Sequence, residues 1–571
     1  MKKTVVRFLS LFLSLVVVFS AAVPAFAASE SRIKRNEEIA EKLNAKFNNA
    51  AGNILDFVGN IVPDSVNVKK LADYTEDVSF KGDSEFLTEP ADGAYWSLGY
   101  SEASILPSDF PKGKYFKGGY ALDKAFNSIL DDLKVRVIAL DDNSGRDKVV
   151  FAVVDCIGLA NADVKLIRRK LSGFAEENNI ISVNVSATHV HSGIDTQGPY
   201  TNIVKSLFKN INASLFKSDK LEEAIDSRFL NIIVEKTAAC AEEAVNNMKP
   251  GKLTFAFTNI KDYIRDRTDP VSYDENLYRF MFTPYDGSEK TIIGSFGAHP
   301  EAVGFSSDIA SSDFVYYTEQ VLNERGYNYI FIQGDLGTNT ESFSQSGDEL
   351  NLSRTENCKR YGKEIGYILA GMTSSDEERK NIADADFVKE GEAGGKYTPW
   401  YISTAAAEEE EVKPILNIKQ KEVLLKISNG LYKGMTKLSL ADNAVYRDGK
   451  TKDYYSPTEI GYLELGDDIK IYLTPGETYG ELINGGEGIE GFGYVSIKEK
   501  LYSGKNHVLV MDLMNDAVGY VMPDNHFSYF TFKYSEDGGF KFKDGWGFTS
   551  VGKEAASTLI GDFYKLVDET K

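Results

Sequence analysis

The chain has 571 residues, of which 42% are hydrophobic and 12% aromatic, so it can bury a large core. Its net charge of −21 at pH 7 argues against a nucleic-acid partner, because phosphate binding needs clustered cations. The three cysteines, Cys156, Cys240 and Cys358, lie far apart and form no CxxC motif. We therefore expect neither a disulfide framework nor a cysteine metal site.

The N-terminal residues have the features of a secretory signal. A basic start precedes an apolar run from Phe8 to Ala22 and small residues at Ala25 and Ala27. We expect residues 1–27 to be a signal peptide and the mature protein to be secreted, with association with the cell surface left open. An uncleaved membrane anchor is the competing interpretation. Residues 28–78 are predicted to form a helical lead segment, because they include a charged amphipathic stretch.

From about Gly99 the hydrophobic pattern predicts α/β structure, within a single domain over residues 79–571. A βαβ unit is expected first, with strand Lys148–Leu159, helix Asp163–Asn178 and strand Ile180–Thr188. The later predicted elements are a helix at Leu221–Asn247, strands near Lys252–Thr258, Tyr278–Thr283, Thr291–Ala298 and Tyr327–Ile332, helices at Phe314–Glu324 and Asn357–Met372, strands near Val423–Ile427, Asp468–Leu473 and Val508–Leu513, and a closing helix at Lys553–Val567.

The polar stretch near 373–414 is predicted to be a surface insertion, and its run of glutamates a solvated face. The expected fold class is α/β, with a mixed, largely parallel β-sheet core flanked by helices. In such a sheet the ligand site lies at the carboxyl ends of the strands.

Polar motifs follow several predicted strands and could share one crevice at that edge. They are THVHSG at 188–193, GAHPEAVG at 297–304, QGDLGTN at 333–339 and TPGET at 474–478. Three of the five histidines, His189, His191 and His299, lie in them, and imidazoles with a carboxylate make a zinc site. In an extended segment residues i and i+2 point to the same side, so His189 could bind metal while His191 carries protons nearby.

Each motif also has a structural interpretation when taken alone. His299 could be a buried, hydrogen-bonded histidine, and Asp335 could cap a turn. Glu477, which follows Pro475 and Gly476, could be a carboxylate of the first turn of a helix. The residues by themselves leave these alternatives open.

The same motifs resemble those of the neutral/alkaline, non-lysosomal ceramidases, a family of secreted zinc amidases. The resemblance in order and spacing extends from Gly99 to the final helix. The matching segments are SATHVHSG at 186–193, FGAHP at 296–300, SSD at 311–313, PGE at 475–477 and GYV at 519–521.

This resemblance implies four ligands for a zinc ion: His189, His299, Glu477 and Tyr520. It assigns His191 the role of the acid/base group, which takes a proton from the attacking water and returns it to the leaving amine. Arg267, with Tyr520 or Tyr534, would stabilise the oxyanion. Arg265 is a rival for Arg267, and Tyr534 falls two residues late for the second family tyrosine.

One segment departs from the family pattern. Residues 334–339, GDLGTN, correspond to the family's G-D-x-S-P-N, so that Asp335 is a further catalytic candidate and Gly337 stands in place of the serine. The neighbouring Thr338 cannot be assumed to replace that serine. No immunoglobulin-like C-terminal domain is expected either, because the chain ends soon after Tyr534.

The resemblance implies hydrolysis of the N-acyl bond of ceramide or a related N-acyl lipid, with Zn²⁺ as cofactor and a peripheral membrane contact left open. Residues 197–202, with Tyr200, and the aromatic stretch 526–532 are candidates for the lining of an acyl-chain pocket. Two alternatives remain: a zinc hydrolase of another amide or ester, such as an N-acyl amino acid or a cell-wall amide, and a catalytically silent binding protein. The sequence does not define the oligomeric state.

Overall fold

The structure is a computed structural model. It describes residues 30–83, 85–119, 122–146, 148–268, 270–304, 307–343, 352–373, 409–535 and 539–570. The predicted signal peptide (1–27) and most of the predicted insertion (373–414) lie outside the described residues. Among the helices that are described, none is long and apolar enough to span a bilayer.

The described strands are β1 (Lys69–Lys70), β2 (Trp96–Ser104), β3 (Ser128–Ile129), β4 (Lys134–Asp141), β5 (Lys148–Val154), β6 (Ile180–Ala187), β7 (Lys249–Asn259), β8 (Ile264–Arg265), β9 (Asn276–Pro284), β10 (Lys290–Phe296), β11 (Ile309–Ala310), β12 (Tyr327–Gln333), β13 (Thr340–Glu341), β14 (Glu410–Glu411), β15 (Leu416–Lys426), β16 (Tyr446–Arg447), β17 (Tyr454–Leu465), β18 (Ile469–Leu473), β19 (Glu477–Thr478), β20 (His507–Met511), β21 (Tyr520–Val521), β22 (Phe530–Ser535) and β23 (Gly539–Asp544). The α-helices are α1 (Glu30–Ile61), α2 (Asn161–Glu177), α3 (Ile203–Leu215), α4 (Ser227–Asn246), α5 (Phe314–Asn323), α6 (Arg354–Gly371), α7 (Gly430–Lys437), α8 (Gly480–Asn484), α9 (Ile497–Leu501) and α10 (Ala555–Asp568).

The larger sheet has the strand order β12-β10-β9-β7-β2-β4-β5-β6, with β14 added beside β7. Within its described part, parallel pairing is confined to the two ends, between β10 and β12 and between β5 and β6. A mixed sheet flanked by helices is therefore confirmed, whereas the expectation that it is largely parallel is wrong. A short connection, such as that from β4 to β5, makes consecutive strands antiparallel. The parallel pairs of the described sheet follow the helical crossovers, through α2 between β5 and β6 and through α5 between β10 and β12.

A second sheet has the order β1-β16-β17-β18-β20, with β15 also paired to β17. The two sheets pack face to face, because one apolar cluster combines Leu253 and Phe280 of the larger sheet with Leu463 and Ile471 of the second. Helices α2 and α4 cover one half of the outer face of the larger sheet, α5 and α6 cover the other half, and α10 covers the second sheet. The result is four layers, helix, sheet, sheet and helix.

Buried ion pairs connect these layers. The Arg136 guanidinium on β4 contacts the carboxylates of Asp155 at 2.9 Å and of Glu319 on α5 at 2.8 Å. Burial raises the pKa of Glu319, but the attraction of Arg136 outweighs it and lowers that pKa to about 2. Helix α5 is therefore held to the sheet by charge as well as by apolar contact.

Helix α1 lies within the predicted lead segment and packs against the rest of the protein. The Asn48 side chain donates to the Phe530 carbonyl at 2.7 Å and accepts from the Tyr529 N–H at 2.6 Å. A Cβ at Gly59 would lie only 2.4 Å from the Gly430 carbonyl, so α1 approaches α7 at backbone distance. The division of the chain into domains stays a prediction.

Candidate metal centre

Gln333 fixes the segments that lead from strands β6 and β10 to His189 and His299. The side-chain nitrogen of this residue, the last of β12, donates to the carbonyls of Thr188 at 2.7 Å and Ala298 at 2.9 Å. These carbonyls belong to the residues directly before His189 and His299. One buried amide therefore sets the position of both histidines relative to the sheet.

Two further candidate ligands come from segments that follow the second sheet. Glu477 on β19 and Tyr520 on β21 are direct partners in a short parallel pair. The Asp512 carboxylate accepts hydrogen bonds from the Leu336 N–H at 3.0 Å and the Thr478 N–H at 2.8 Å. It thereby ties the loop after β12 of the larger sheet to the strand that carries Glu477.

The chain turns sharply at His189, whose φ of +62° lies in the left-handed region. The expectation that the H-x-H segment is extended is therefore wrong. The rings of His189 and His191 nevertheless lie together, with centroids 4.8 Å apart, and His299 lies 4.7 Å from His189. A strained backbone at a cluster of polar side chains is typical of a functional site.

Hydrogen bonds determine the tautomers of His189 and His299. Their Nδ1 atoms each lie 2.6 Å from a carbonyl oxygen, that of Ile157 and of Asn339 respectively, so each Nδ1 carries the proton. The Nε2 lone pairs then face Oε2 of Glu477, at 3.6 Å from His189 and 3.2 Å from His299. Two lone pairs directed at a carboxylate repel it unless a cation lies between them, so this donor set fits a metal ion.

Burial favours the charge states that metal binding requires. It lowers the pKa of His189 to about 4 and lowers the pKa of His191 well below its ordinary value. Burial raises the pKa of Glu477, but its neighbours outweigh that effect and the net shift is downward. The group therefore offers neutral imidazoles and a carboxylate at neutral pH.

His191 and Tyr520 complete the cluster. The ligand nitrogens of the three histidines all lie within 4.8 Å of one another, so three imidazoles are a geometric alternative to two imidazoles with Glu477. The Tyr520 hydroxyl is 3.4 Å from Nε2 of His299. Gly119 makes room for His191, because a Cβ at Gly119 would lie 2.6 Å from Nδ1 of that ring.

The structure brings Arg267, and not Arg265, to the cavity that contains the histidines. The Arg267 guanidinium donates to the Glu301 carboxylate at 3.2 Å and lies 5.0 Å from the centre of the Trp546 ring. Arg265 is exposed on β8. This placement favours Arg267 as the cationic group of the site.

Neither Asp335 nor Tyr534 is among the described residues that line the cavity. The Asp335 carboxylate accepts from the Asp274 N–H at 2.7 Å, and burial, with the nearby Asp512, raises its pKa well above the usual range. Tyr534 lies on β22 opposite Phe540, and its side chain is outside the described residues. A catalytic role for either residue stays a prediction.

Gly337 has a steric reason to differ from the family serine. Its φ is +37°, and a Cβ there would lie 2.9 Å from the Thr478 carbonyl and 3.3 Å from the Cα of Tyr479. The loop after β12 therefore packs directly on the strand that carries Glu477. A serine at this position would require the backbone to move.

The cavity around the histidines has a volume of about 490 Å³ and largely apolar walls. Gln197, Pro199 and Tyr200 line it, as predicted for residues 197–202, whereas the described side chains of 526–531 do not. Its lining also includes three residues that the sequence analysis missed: Glu301, Asp442 and Trp546. Glu301 could have been found, because it follows His299 by two positions in the same loop, but nothing in the sequence distinguishes the other two.

The crystal structure of neutral ceramidase from Pseudomonas aeruginosa superposes on this chain with a TM-score of 0.56, over 84% of this chain and 74% of that one. The chain has the neutral ceramidase fold. A second structure, a ceramidase complexed with C2, matches with a TM-score of 0.54 over 83% of this chain and 76% of its own. Each is 14% identical in sequence to this chain, so the likeness to the neutral ceramidases is one of fold. No protein-family model matches the sequence.

Proposed function

We propose that this protein is an exported, zinc-dependent amidohydrolase that cleaves the N-acyl bond of ceramide or a related N-acyl lipid. The convergence of the His189 and His299 Nε2 atoms on Glu477, inside a largely apolar cavity, carries the proposal. Nitrogen and oxygen donors in this number suit Zn²⁺, with Tyr520 as the fourth group. Two solved ceramidases with this fold support the reaction class, and export rests on residues 1–27.

A zinc ion held by His189, His299, Glu477 and Tyr520 would supply Lewis acidity for an acyl carbonyl and for the attacking water. His191, neutral beside the ligands, accepts a proton from the attacking water and delivers it to the leaving amine. Arg267 brings positive charge to the cavity wall, where it stabilises the developing oxyanion, and Glu301 and Trp546 hold it in position. The apolar walls hold the acyl chain and exclude bulk water.

An acidic group in the cavity wall bears on the amine part of the substrate. Asp442 lines the cavity and neighbours the buried Asp163. Burial, together with Asp442, raises the pKa of Asp163 well above its usual range. Burial raises the pKa of Asp442 too, so the pair can donate as well as accept hydrogen bonds, which suits an N-acyl compound whose amine part carries hydroxyl groups.

Metal analysis of the purified protein tests the proposal first. We expect about one zinc ion per chain and complete loss of amidase activity on chelation, restored by Zn²⁺. His189→Ala should lose the ion, whereas His191→Ala should keep it and lose rate by about 100- to 10,000-fold. A folded protein without stoichiometric metal would refute the enzyme and favour a silent binding protein. Equal zinc loss in both variants would support the three-histidine ligand set instead.

A substrate panel separates the lipid amide from other acyl compounds. Ceramides of several chain lengths, short-chain N-acyl amines, N-acyl amino acids and an acyl ester are assayed with the zinc-loaded protein. We expect turnover of N-acylated amino alcohols, and a preference for N-acyl amino acids would support the alternative amidase instead. Activity on short acyl amides with none on ceramides would remove the lipid assignment while leaving the metal chemistry intact.

A further inference from the structure

Helix α3 has its apolar side on the outside. The residues it buries are small or polar: Ser206, Asn210, Ala213 and Ser214. Its solvent side carries Val204, Phe208, Ile211 and Leu215, which we call the α3 ridge. Positions i, i+4, i+7 and i+11 fall on one helix face, and Val204, Phe208 and Leu215 are 58%, 47% and 45% exposed.

Phe216, directly after the helix, continues this surface and is 78% exposed. Polar contacts hold the inner side of the helix in place. The Asn210 amide nitrogen donates to the Leu438 carbonyl at 2.9 Å and to the Glu222 carbonyl at 3.1 Å. The helix is therefore anchored with its apolar face towards solvent, and an exposed patch of this kind marks an interaction site.

The charge around the ridge is unusual for this acidic chain. Residues 196–218 contain three lysines, Lys205, Lys209 and Lys217, and no acidic residue, whereas the whole chain has a net charge of −21. Lys205 and Lys209 are exposed beside the ridge, and both form ion pairs with the Glu222 carboxylate. Apolar side chains flanked by lysines on one helix are typical of a helix that lies in a membrane interface.

The ridge is joined to the candidate metal centre by a short, hydrogen-bonded loop. The Asp195 carboxylate accepts from the backbone N–H groups of Gln197, Gly198 and Tyr200, at 2.9, 3.1 and 3.2 Å. Gln197 and Tyr200 line the cavity, and α3 begins three residues after Tyr200. The helix that carries the ridge thus follows directly in sequence on a segment of the cavity wall.

We propose that the α3 ridge and Phe216 dock onto the surface of a lipid bilayer, and that this contact places the cavity where an N-acyl lipid can enter it. The inference rests on the proposed function, because a lipid substrate gives the contact its purpose. The docking itself is measurable without turnover. The three lysines of the flank outnumber Glu222, with which two of them pair, and this favours bilayers that contain anionic lipid.

Vesicle co-sedimentation of the full-length mature protein tests the docking. The probes are vesicles of phosphatidylcholine alone and of phosphatidylcholine with about one third phosphatidylglycerol. We expect the wild type to bind, and more strongly to the anionic vesicles. Phe208→Asp with Phe216→Asp should weaken binding at least tenfold, or about 1.4 kcal/mol. Tyr285→Asp is the matched control, because Tyr285 is an aromatic residue that is 69% exposed. It lies in the β9–β10 turn, at the opposite end of β10 from His299.

Two results would overturn the docking proposal: failure of the wild type to bind either vesicle, and equal binding of the wild type and the double variant. If the double variant binds equally but converts a dimer to a monomer, the ridge belongs to the contact with a second copy of the chain. The single variant Phe216→Ser repeats the test if the double variant does not fold. Turnover of a soluble, short-chain N-acylated amino alcohol should be unchanged in every variant. Its absence in the wild type would refute the proposed function and leave the vesicle result standing.

Discussion

Replacing Gln333 by methionine tests whether the strand ends set the metal site. Methionine has a similar length but no donor, so Gln333→Met leaves the carbonyls of Thr188 and Ala298 without this partner. Each buried group that loses its hydrogen bond costs about 1–3 kcal/mol, and the apolar side chain offsets part of the sum. We expect the free energy of unfolding of the metal-free protein to fall by about 2–4 kcal/mol. Zinc affinity should fall by roughly 10- to 100-fold, as for other residues that position a ligand.

The assay has two independent readings. Urea unfolding in chelator gives the stability of the metal-free protein, and competition with a chromophoric chelator gives the zinc affinity. Gln320→Met is the control, because the Gln320 side chain makes one hydrogen bond to the Tyr316 hydroxyl at 2.9 Å on α5, with no contact to the histidines. Zinc affinity within threefold of the wild type, with stability reduced, would show that Gln333 supports the sheet and not the metal site.

Three other changes have defined outcomes. Gly337→Ser, which introduces the family serine, should lower the midpoint of thermal unfolding without raising activity. The reason is that it adds a Cβ at positive φ, close to the Thr478 carbonyl. A variant that is more active and equally stable would contradict this steric argument. Arg267→Met should lower kcat by about 100-fold or more with zinc retained, and Arg265→Met should not; equal effects would remove the oxyanion role. Glu319→Gln should lower the free energy of unfolding by about 3 kcal/mol at pH 7. Because the folded pKa of this group is lowered from 4.5 to about 2, that difference should be full above pH 4.5 and shrink as the pH falls towards 2; a difference that persists at low pH would exclude the ion pair as its cause.

The elements that the sequence predicted well are those whose pattern is local. Strand β5, helix α2 and strand β6 were expected from two apolar runs around an amphipathic segment, and their starts agree with the structure within two residues. Strand β17 was not predicted, because Tyr454–Leu465 contains proline, glycine and glutamate. Its buried Glu459 is compensated by Arg168, whose Nη2 lies 2.6 Å from the carboxylate. A partner so distant along the chain cannot be read from the segment itself.

The candidate site shows the same division. His189 and His299 could be found because each follows an apolar strand, and Glu477 and Tyr520 because they match family motifs. Gln333 could not be found as a positioning residue, because its effect depends on three strand ends meeting. The left-handed turn at His189 likewise depends on tertiary contacts, so the reasoning from an extended H-x-H segment failed although the two rings do lie together.

The four candidate ligands come from segments of two different sheets. His189 and His299 belong to the larger sheet, and Glu477 and Tyr520 follow strands of the second. The proposed set of two imidazoles, Glu477 and Tyr520 is therefore complete only after the two sheets have docked, whereas the three-histidine set would need the larger sheet alone. If the chain is exported before its sheets dock, the proposed four-ligand site would take its zinc from outside the cell.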